Sequence, residues 1–321
     1  MEEKAIEDKV EPKKLIGLDE LISGSFKRFG EKFITFIRLE LFKIGIFLAS
    51  ILVLAVVALI ISALAGSNIV DIGSGDKDVA TWIFVIFMIF VFMVLIWLFV
   101  FAIWSEAAYA EIATFYEEKF GVIEAFKRSW PKLSTYFWTV VAKELTVLGG
   151  LILFIVPGVI VAIWFSFVEF IVMRREASGV AALMLSKKYV RGNWWEVFGR
   201  VAIMVLIVIG IAMGFSLVEE AANLVVTIIS SFINNDNVTV VANIIIIIVS
   251  VIISLCINAF NKGWKLIYRS YLFNDFQNLK GVIRDTTDEN PQWLYIAWII
   301  FILIIIGAIV LSGSILWLAS R

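Results

Sequence analysis

The sequence predicts an all-α fold: a polytopic helical membrane protein with six to seven transmembrane helices, interfacial amphipathic helices and parallel internal repeats. Three observations carry that prediction. Hydrophobic residues make up 61% of the 321 residues and charged residues 17%, against roughly 45–50% and about 25% in soluble chains. The apolar residues crowd into blocks of about 20, the length a helix needs to cross a bilayer while satisfying its own backbone hydrogen bonds. Lys and Arg are confined almost entirely to alternate connections between those blocks.

In chain order, residues 1–17 are a charged tail that cannot bury enough apolar surface to fold. The first apolar block starts near residue 44, too late for a cleaved signal peptide, so it serves as an uncleaved anchor. Residues 18–321 form a single membrane domain. Its expected spans are about 44–65, 81–104, 136–156, 158–173, 197–218, 239–260 and 293–318, with the third turning at Pro157-Gly158 straight into the fourth. The isoleucine run Ile244 to Ile248 has strand propensity, but it lies inside a block long enough to cross, so length decides for helix. Leu224 to Ile233 is apolar but about half of a crossing, and reads as an interfacial or folded-back helix.

Orientation follows from the basic residues. Residues 1–43 hold nine Lys and Arg, 105–134 four, 174–200 six and 262–292 five, which is 24 of the 27. The intervening connections are acidic: 66–80 has Lys77 against Asp71, Asp76 and Asp78, and 219–238 has Glu219, Glu220 and Asp236 with no base. Basic loops stay inside, so the N-terminus is expected on the inner face of the membrane.

Part of the chain repeats. Residues 121–150 align without gaps onto 178–207: Ala125 falls on Ala182, Ser129 on Ser186, Phe137-Trp138 on Trp194-Trp195 and Lys143 on Arg200. An upstream copy places Ile22, Phe26, Phe29 and Phe33 on Phe126, Trp130, Leu133 and Phe137, and Ser25 on Ser129. Spacings of 4, 3 and 4 put those apolar side chains on one helical face, with Lys27, Arg28 and Lys32, or Lys127, Arg128 and Lys132, elsewhere. Each copy reads as an amphipathic helix on the inner leaflet that feeds a span, its bases toward anionic headgroups. Lys187 interrupts the apolar face of the copy that begins at Ser178. A further amphipathic stretch, Tyr268, Leu272, Phe276, Leu279 and Ile283, matches none of them.

The segments Glu124-Ala125-Phe126-Lys127-Arg128-Ser129-Trp130, Phe137-Trp138, Gly149-Gly150, Ile155-Val156-Pro157-Gly158, Trp164-Phe165-Ser166-Phe167 and Arg191-Gly192-Asn193-Trp194-Trp195-Glu196-Val197-Phe198-Gly199-Arg200 together resemble one prokaryotic family. It comprises uncharacterised multi-spanning proteins similar to the membrane domain attached to some glycerophosphoryl diester phosphodiesterases. The resemblance covers about residues 120–205 and implies a helical domain in the cytoplasmic membrane of a bacterium or archaeon. It implies no phosphodiesterase activity, because that chemistry belongs to a separate soluble barrel for which this chain has no room.

Ionisable groups inside spans are costly, about 2.5–3.5 kcal/mol at the centre on insertion scales, so each needs a reason. Lys143 lies 14 residues before Pro157 and Glu169 lies 12 after it. At about 1.5 Å per residue the two arms are nearly equal, so the charges should meet on adjacent antiparallel helices. Arg200 holds the repeat position of Lys143, Glu144 is a second candidate partner, and Arg38 and Glu40 fall near the matching place upstream. Lys143, Glu144, Glu169 and Arg200 are therefore a candidate intramembrane polar cluster. It reads either as the lining of a cavity or ion path, or as side chains that snorkel to the inner interface and pair as they go. Gly149-Gly150 and the small-residue face Gly210–Gly214 are expected at helix-packing contacts. Glu106, Glu111, Glu117 and Glu118 read as a solvated helix end.

There is no His, and Cys256 is the lone Cys, which excludes His-dependent triads, multi-Cys metal sites and an internal disulfide. HExxH, GxSxG and GxxxxGK[ST] motifs are absent, so neither hydrolysis nor ATP-driven transport is indicated, and no metal or cofactor is implied. The net charge of −1 carries no nucleic-acid signal. Two non-enzymatic classes remain: a membrane scaffold or assembly protein that organises lipid or partner proteins, and a secondary transporter or channel. Transporter repeats are usually inverted in the membrane, whereas these copies run parallel, which favours the scaffold. The partners so implied are membrane lipids, with anionic headgroups at the inner leaflet, and other membrane proteins.

Overall fold

A computed structural model describes residues 15–66, 77–233 and 236–283, together with seven isolated positions between 292 and 306. Every regular element among the described residues is helical. In order they are α1 (Leu18–Gly66), α2 (Lys77–Thr114), α3 (Val122–Ser129), a 3₁₀ turn (Trp130–Lys132), α4 (Leu133–Leu153), α5 (Ile155–Trp164), α6 (Val168–Met173), α7 (Gly179–Val190), α8 (Trp194–Ile233) and α9 (Asp236–Lys280). Five stretches are long and apolar enough to cross a membrane: Leu18–Ala63, Thr81–Thr114, Ile155–Met173, Trp194–Ala221 and Ile247–Lys280. The span expected over 136–156 is not among them, although α4 is a helix of 21 residues; Lys143 and Glu144 sit in its middle. The span expected over 293–318 and the tail over 1–14 lie outside the described residues, apart from isolated helical positions such as Trp298.

Three expected breaks move or vanish. α1 runs for 49 residues, roughly 74 Å, from the amphipathic stretch into the apolar block with no elbow near Ile44. α8 continues through Leu224 to Ile233 instead of folding back. The turn placed at Pro157-Gly158 falls at Phe154, whose backbone is extended (φ −162°, ψ 151°), and Pro157 is the third residue of α5. A proline in the first turn of a helix forfeits no hydrogen bond, so Pro157 opens α5 rather than ending α4. The other connections follow local rules. Ser178 precedes α7, Gly192 (φ 87°) separates α7 from α8, and Gly281 (φ 74°) ends α9 in the left-handed conformation that glycine adopts without strain.

The chain divides into two compact units. One combines the described parts of Met1–Arg28, Trp138–Met204 and Ile267–Arg321. Its core is aromatic: Phe167 meets Phe273 at 5.4 Å and Phe276 at 5.6 Å between ring centroids, and Tyr189 stands edge-on to Phe273 at 5.2 Å. Tyr268, Leu272 and Phe276 are fully buried, so these residues of the stretch expected to be amphipathic pack into protein on the core-facing side of α9. Burying each such side chain contributes roughly 1.5–3 kcal/mol.

The other unit combines Phe29–Phe137 and Val205–Leu266. Phe36 stacks on Tyr109 at 5.4 Å, Phe29 stands edge-on to Phe260 at 5.4 Å, and Phe260 stacks on Trp264 at 5.5 Å. Gly263 admits the Phe36 ring, since a Cβ there would lie 2.7 Å from it. The buried side chains of α1 among the described residues are Leu21, Ser25, Phe29, Lys32, Phe36, Leu39 and Glu40. That face is rotated from the expected one of Ile22, Phe26, Phe29 and Phe33; Phe26 is exposed.

Candidate functional site

The break between α5 and α6 exposes backbone groups that a straight helix would pair, and the candidate site is built around it. Buried N–H and C=O groups without partners are costly, most of all in a membrane. Here side chains satisfy them. The Ser186 hydroxyl, on α7, donates to the Trp164 carbonyl at 2.7 Å and accepts from the Phe167 N–H at 3.2 Å. Arg269, on α9, donates to the Ser166 carbonyl from Nε at 3.1 Å and again from Nη2. The Ser166 hydroxyl turns back to the Ile163 carbonyl at 2.8 Å.

The same Arg269 completes an ionic cluster. Glu169 is the second residue of α6, and its Oε1 accepts from Lys143 Nζ at 2.8 Å. Arg269 Nη2 lies 3.4 Å from the other oxygen, Oε2. Lys143 also reaches Glu144 at 3.1 Å, but the Glu144 side chain is 53% exposed against 11% for Glu169. Solvent therefore weakens the first contact and not the second. One buried carboxylate thus sits between two cations, both of which are otherwise occupied.

What lets α4 and α5 approach is a glycine contact. A Cβ on Gly150 would lie 2.9 Å from the Gly158 Cα, and one on Gly158 would lie 2.5 Å from the Leu151 side chain. Gly149 and Gly150 are both buried. Gly210 and Gly214 do not repeat this: both are exposed, with nothing within 4 Å of an added Cβ, so they are not helix-packing contacts among the described residues.

Arg200 does not join the cluster. Its Nη2 donates to the Ile16 carbonyl at 2.8 Å, while the Ile16 N–H donates to Asp275 at 2.8 Å. Residues 15–17, expected within the charged tail, are instead tied down at the entry to α1. The repeat position that holds Lys143 in α4 therefore holds a residue with a different partner in α8. Arg200 Nη1 finds no partner among the described residues.

Ser25, Ser129 and Ser186 are all fully buried. Ser25 and Ser129 bond back within their own helices, to Ile22 at 2.8 Å and Phe126 at 3.1 Å, whereas Ser186 alone of the three bridges to the α5–α6 break. Lys187 does not simply interrupt an apolar face; its ammonium lies 5.1 Å from the Trp164 ring centroid.

In the other unit a second buried pair corrects the reading of Glu111 as part of a solvated helix end. Glu111 is 2% exposed and meets Lys132 at 2.6 Å. Glu117 and Glu118 are exposed, as expected. Arg128 binds Glu118 and Glu124, whose carboxylates raise its guanidinium above the ordinary value. Glu40 is buried and accepts from the Tyr109 hydroxyl at 2.6 Å and from Lys43 at 3.2 Å.

Of the predicted cluster, Lys143, Glu144 and Glu169 come together, Arg200 stays apart, and Arg269 takes the place expected for it. Comparison with protein-family models, curated proteins and solved structures returns no match.

Proposed function

We propose that this chain is a non-enzymatic protein of a prokaryotic cytoplasmic membrane, N-terminus inside, that organises lipid or partner proteins. The resemblance to the membrane domains attached to glycerophosphoryl diester phosphodiesterases, the three-copy repeat and the basic interfacial helices are parts of the same proposal. The observation that carries it is the saturation of the Lys143–Glu169–Arg269 cluster. For this cluster to serve a solute or ion path, one of its charges would have to trade its present partners for the solute or ion. Here the carboxylate is shared by two cations, one of which also holds the backbone of a helix break. Such a cluster braces the fold.

A second reading, a secondary transporter or channel, has one observation in its favour. A cavity of about 450 Å³ in the other unit is lined by Glu40, Glu219, Ser250, Ser254 and Asn258 among apolar residues. The three α9 residues are spaced by four and share a helix face. Flux separates the readings. Proteoliposomes holding the full chain are expected to leak solutes no faster than empty ones, while the protein extracted in native lipid carries stoichiometric lipid or a partner protein. Solute flux abolished by Asn258→Leu would establish the transporter instead.

A further inference from the structure

On the reading that the chain organises lipid, we propose that α1, α2 and α3 form a discrete binding site for one anionic phospholipid of the inner leaflet. With the turn that follows α3 they border an open groove of about 640 Å³ lined by residues including Phe42, Trp97, Phe101, Phe126, Trp130 and Lys127. That volume lies in the range of about 300–1,000 Å³ typical of small-molecule sites. Apart from Lys127, these six are aromatic, which suits hydrocarbon and gives a soluble anion no second contact.

The walls are preformed. Phe42 packs on Phe126 at 5.4 Å, Phe101 stacks on Phe126 at 5.8 Å, and Trp104 packs on Trp130 at 4.7 Å. The Trp104 indole N–H donates to the Phe126 carbonyl at 2.9 Å, which locks α3 against α2. A groove held open in this way loses little side-chain entropy when it is filled. Trp97 and Trp104 are seven residues apart on α2, so the groove runs roughly 10 Å along the helix.

The charge is placed to match. Among the described residues Lys127 is exposed and has no carboxylate partner. Its neighbours are neutralised: Arg128 by Glu118 and Glu124, Lys132 by Glu111. α3 therefore presents one uncompensated ammonium at an apolar groove, and Trp104 and Trp130, of a residue type enriched at membrane interfaces, line that groove. An acyl chain in the groove with its phosphate at Lys127 satisfies both halves.

The test is native mass spectrometry of the full chain extracted from vesicles of phosphatidylcholine with a minor fraction of phosphatidylglycerol. The wild-type protein is expected to retain one phosphatidylglycerol, out of proportion to its share of the vesicle. Ile46→Trp, which places an indole in the groove, is expected to lose it. Lys127→Gln, on an exposed side chain that folding does not need, is expected to lower the preference for phosphatidylglycerol over phosphatidylcholine about fivefold, the factor that one basic residue near a membrane surface supplies. Retention and preference unchanged in both variants would overturn the groove assignment and leave the lipid-organising reading standing. A wild-type protein that retains only bulk lipid in proportion would overturn both.

Discussion

The Ser186 hydroxyl bridges the Trp164 carbonyl and the Phe167 N–H, at 2.7 and 3.2 Å, and so closes the backbone gap between α5 and α6 with one side chain. Ser186→Ala removes the bridge and takes the side-chain acceptor from the buried Phe167 N–H, which costs about 1–3 kcal/mol. Ser129 bonds back within its own helix, to the Phe126 carbonyl, and a hydroxyl of that kind stabilises little. Unfolding of Ser186→Ala and Ser129→Ala in one detergent is expected to rank Ser186→Ala as clearly the less stable. Equal losses for the two would contradict the bridge.

The glycine contact between α4 and α5 makes a contrast with α8. Gly150→Ala and Gly158→Ala force a methyl into backbone or into Leu151 and are expected to lose about 1–3 kcal/mol. Gly210→Ala and Gly214→Ala meet open space and are expected to be neutral or to gain up to about 1 kcal/mol from helix propensity. Thermal melts of the four variants check the order. A marked loss at Gly210 or Gly214 would mean that this face of α8 is covered by another helix.

Much of this arrangement is legible from residue order, and the exceptions share one cause. Apolar blocks mark the long helices because a helix is the structure that satisfies its whole backbone within one apolar segment. The meeting of Lys143 and Glu169 follows from counting residues along two antiparallel arms, and a shift of the turn from Pro157 to Phe154 leaves them within reach of each other. Arg269 is invisible to such counting: it lies 100 residues beyond Glu169, and only the packing of α9 brings it there. Glu111 looks solvated because it shares a helix end with Glu106, Glu117 and Glu118; its partner Lys132 lies 21 residues on. Repeat alignment likewise paired Arg200 with Lys143 by position, while tertiary context gave Arg200 the Ile16 carbonyl. Local pattern fixes what a segment becomes, and long-range packing fixes which charges meet.

The Glu111–Lys132 pair, with side chains 2% and 10% exposed, is the second buried brace. Removing one member strands a buried charge, so Lys132→Met is expected to destabilise by about 3–5 kcal/mol, and Glu111→Leu with Lys132→Met to recover most of that. A double-mutant cycle on chemical unfolding reads the coupling. Additive losses would show that the two side chains do not act as a pair.

Arg200 holds the Ile16 carbonyl and Asp275 the Ile16 N–H, groups of two successive peptide units. Arg200→Met is expected to speed proteolytic cleavage around residues 15–17 severalfold, because the carbonyl loses its charged donor, while the fold beyond α1 is retained. Cleavage at the wild-type rate would remove Arg200 from that role.

The direct test of the brace is the thermal stability of Glu169→Gln, measured beside the wild-type protein in the same lipid nanodisc. If Glu169 braces the α5–α6 break, neutralising it leaves Lys143 and Arg269 buried and facing each other. Stability then falls by about 3–5 kcal/mol, and by less in Lys143→Met, where Arg269 still holds the carboxylate. A Glu169→Gln protein as stable as the wild type, or more so, would contradict the brace and mark the carboxylate as one kept for binding.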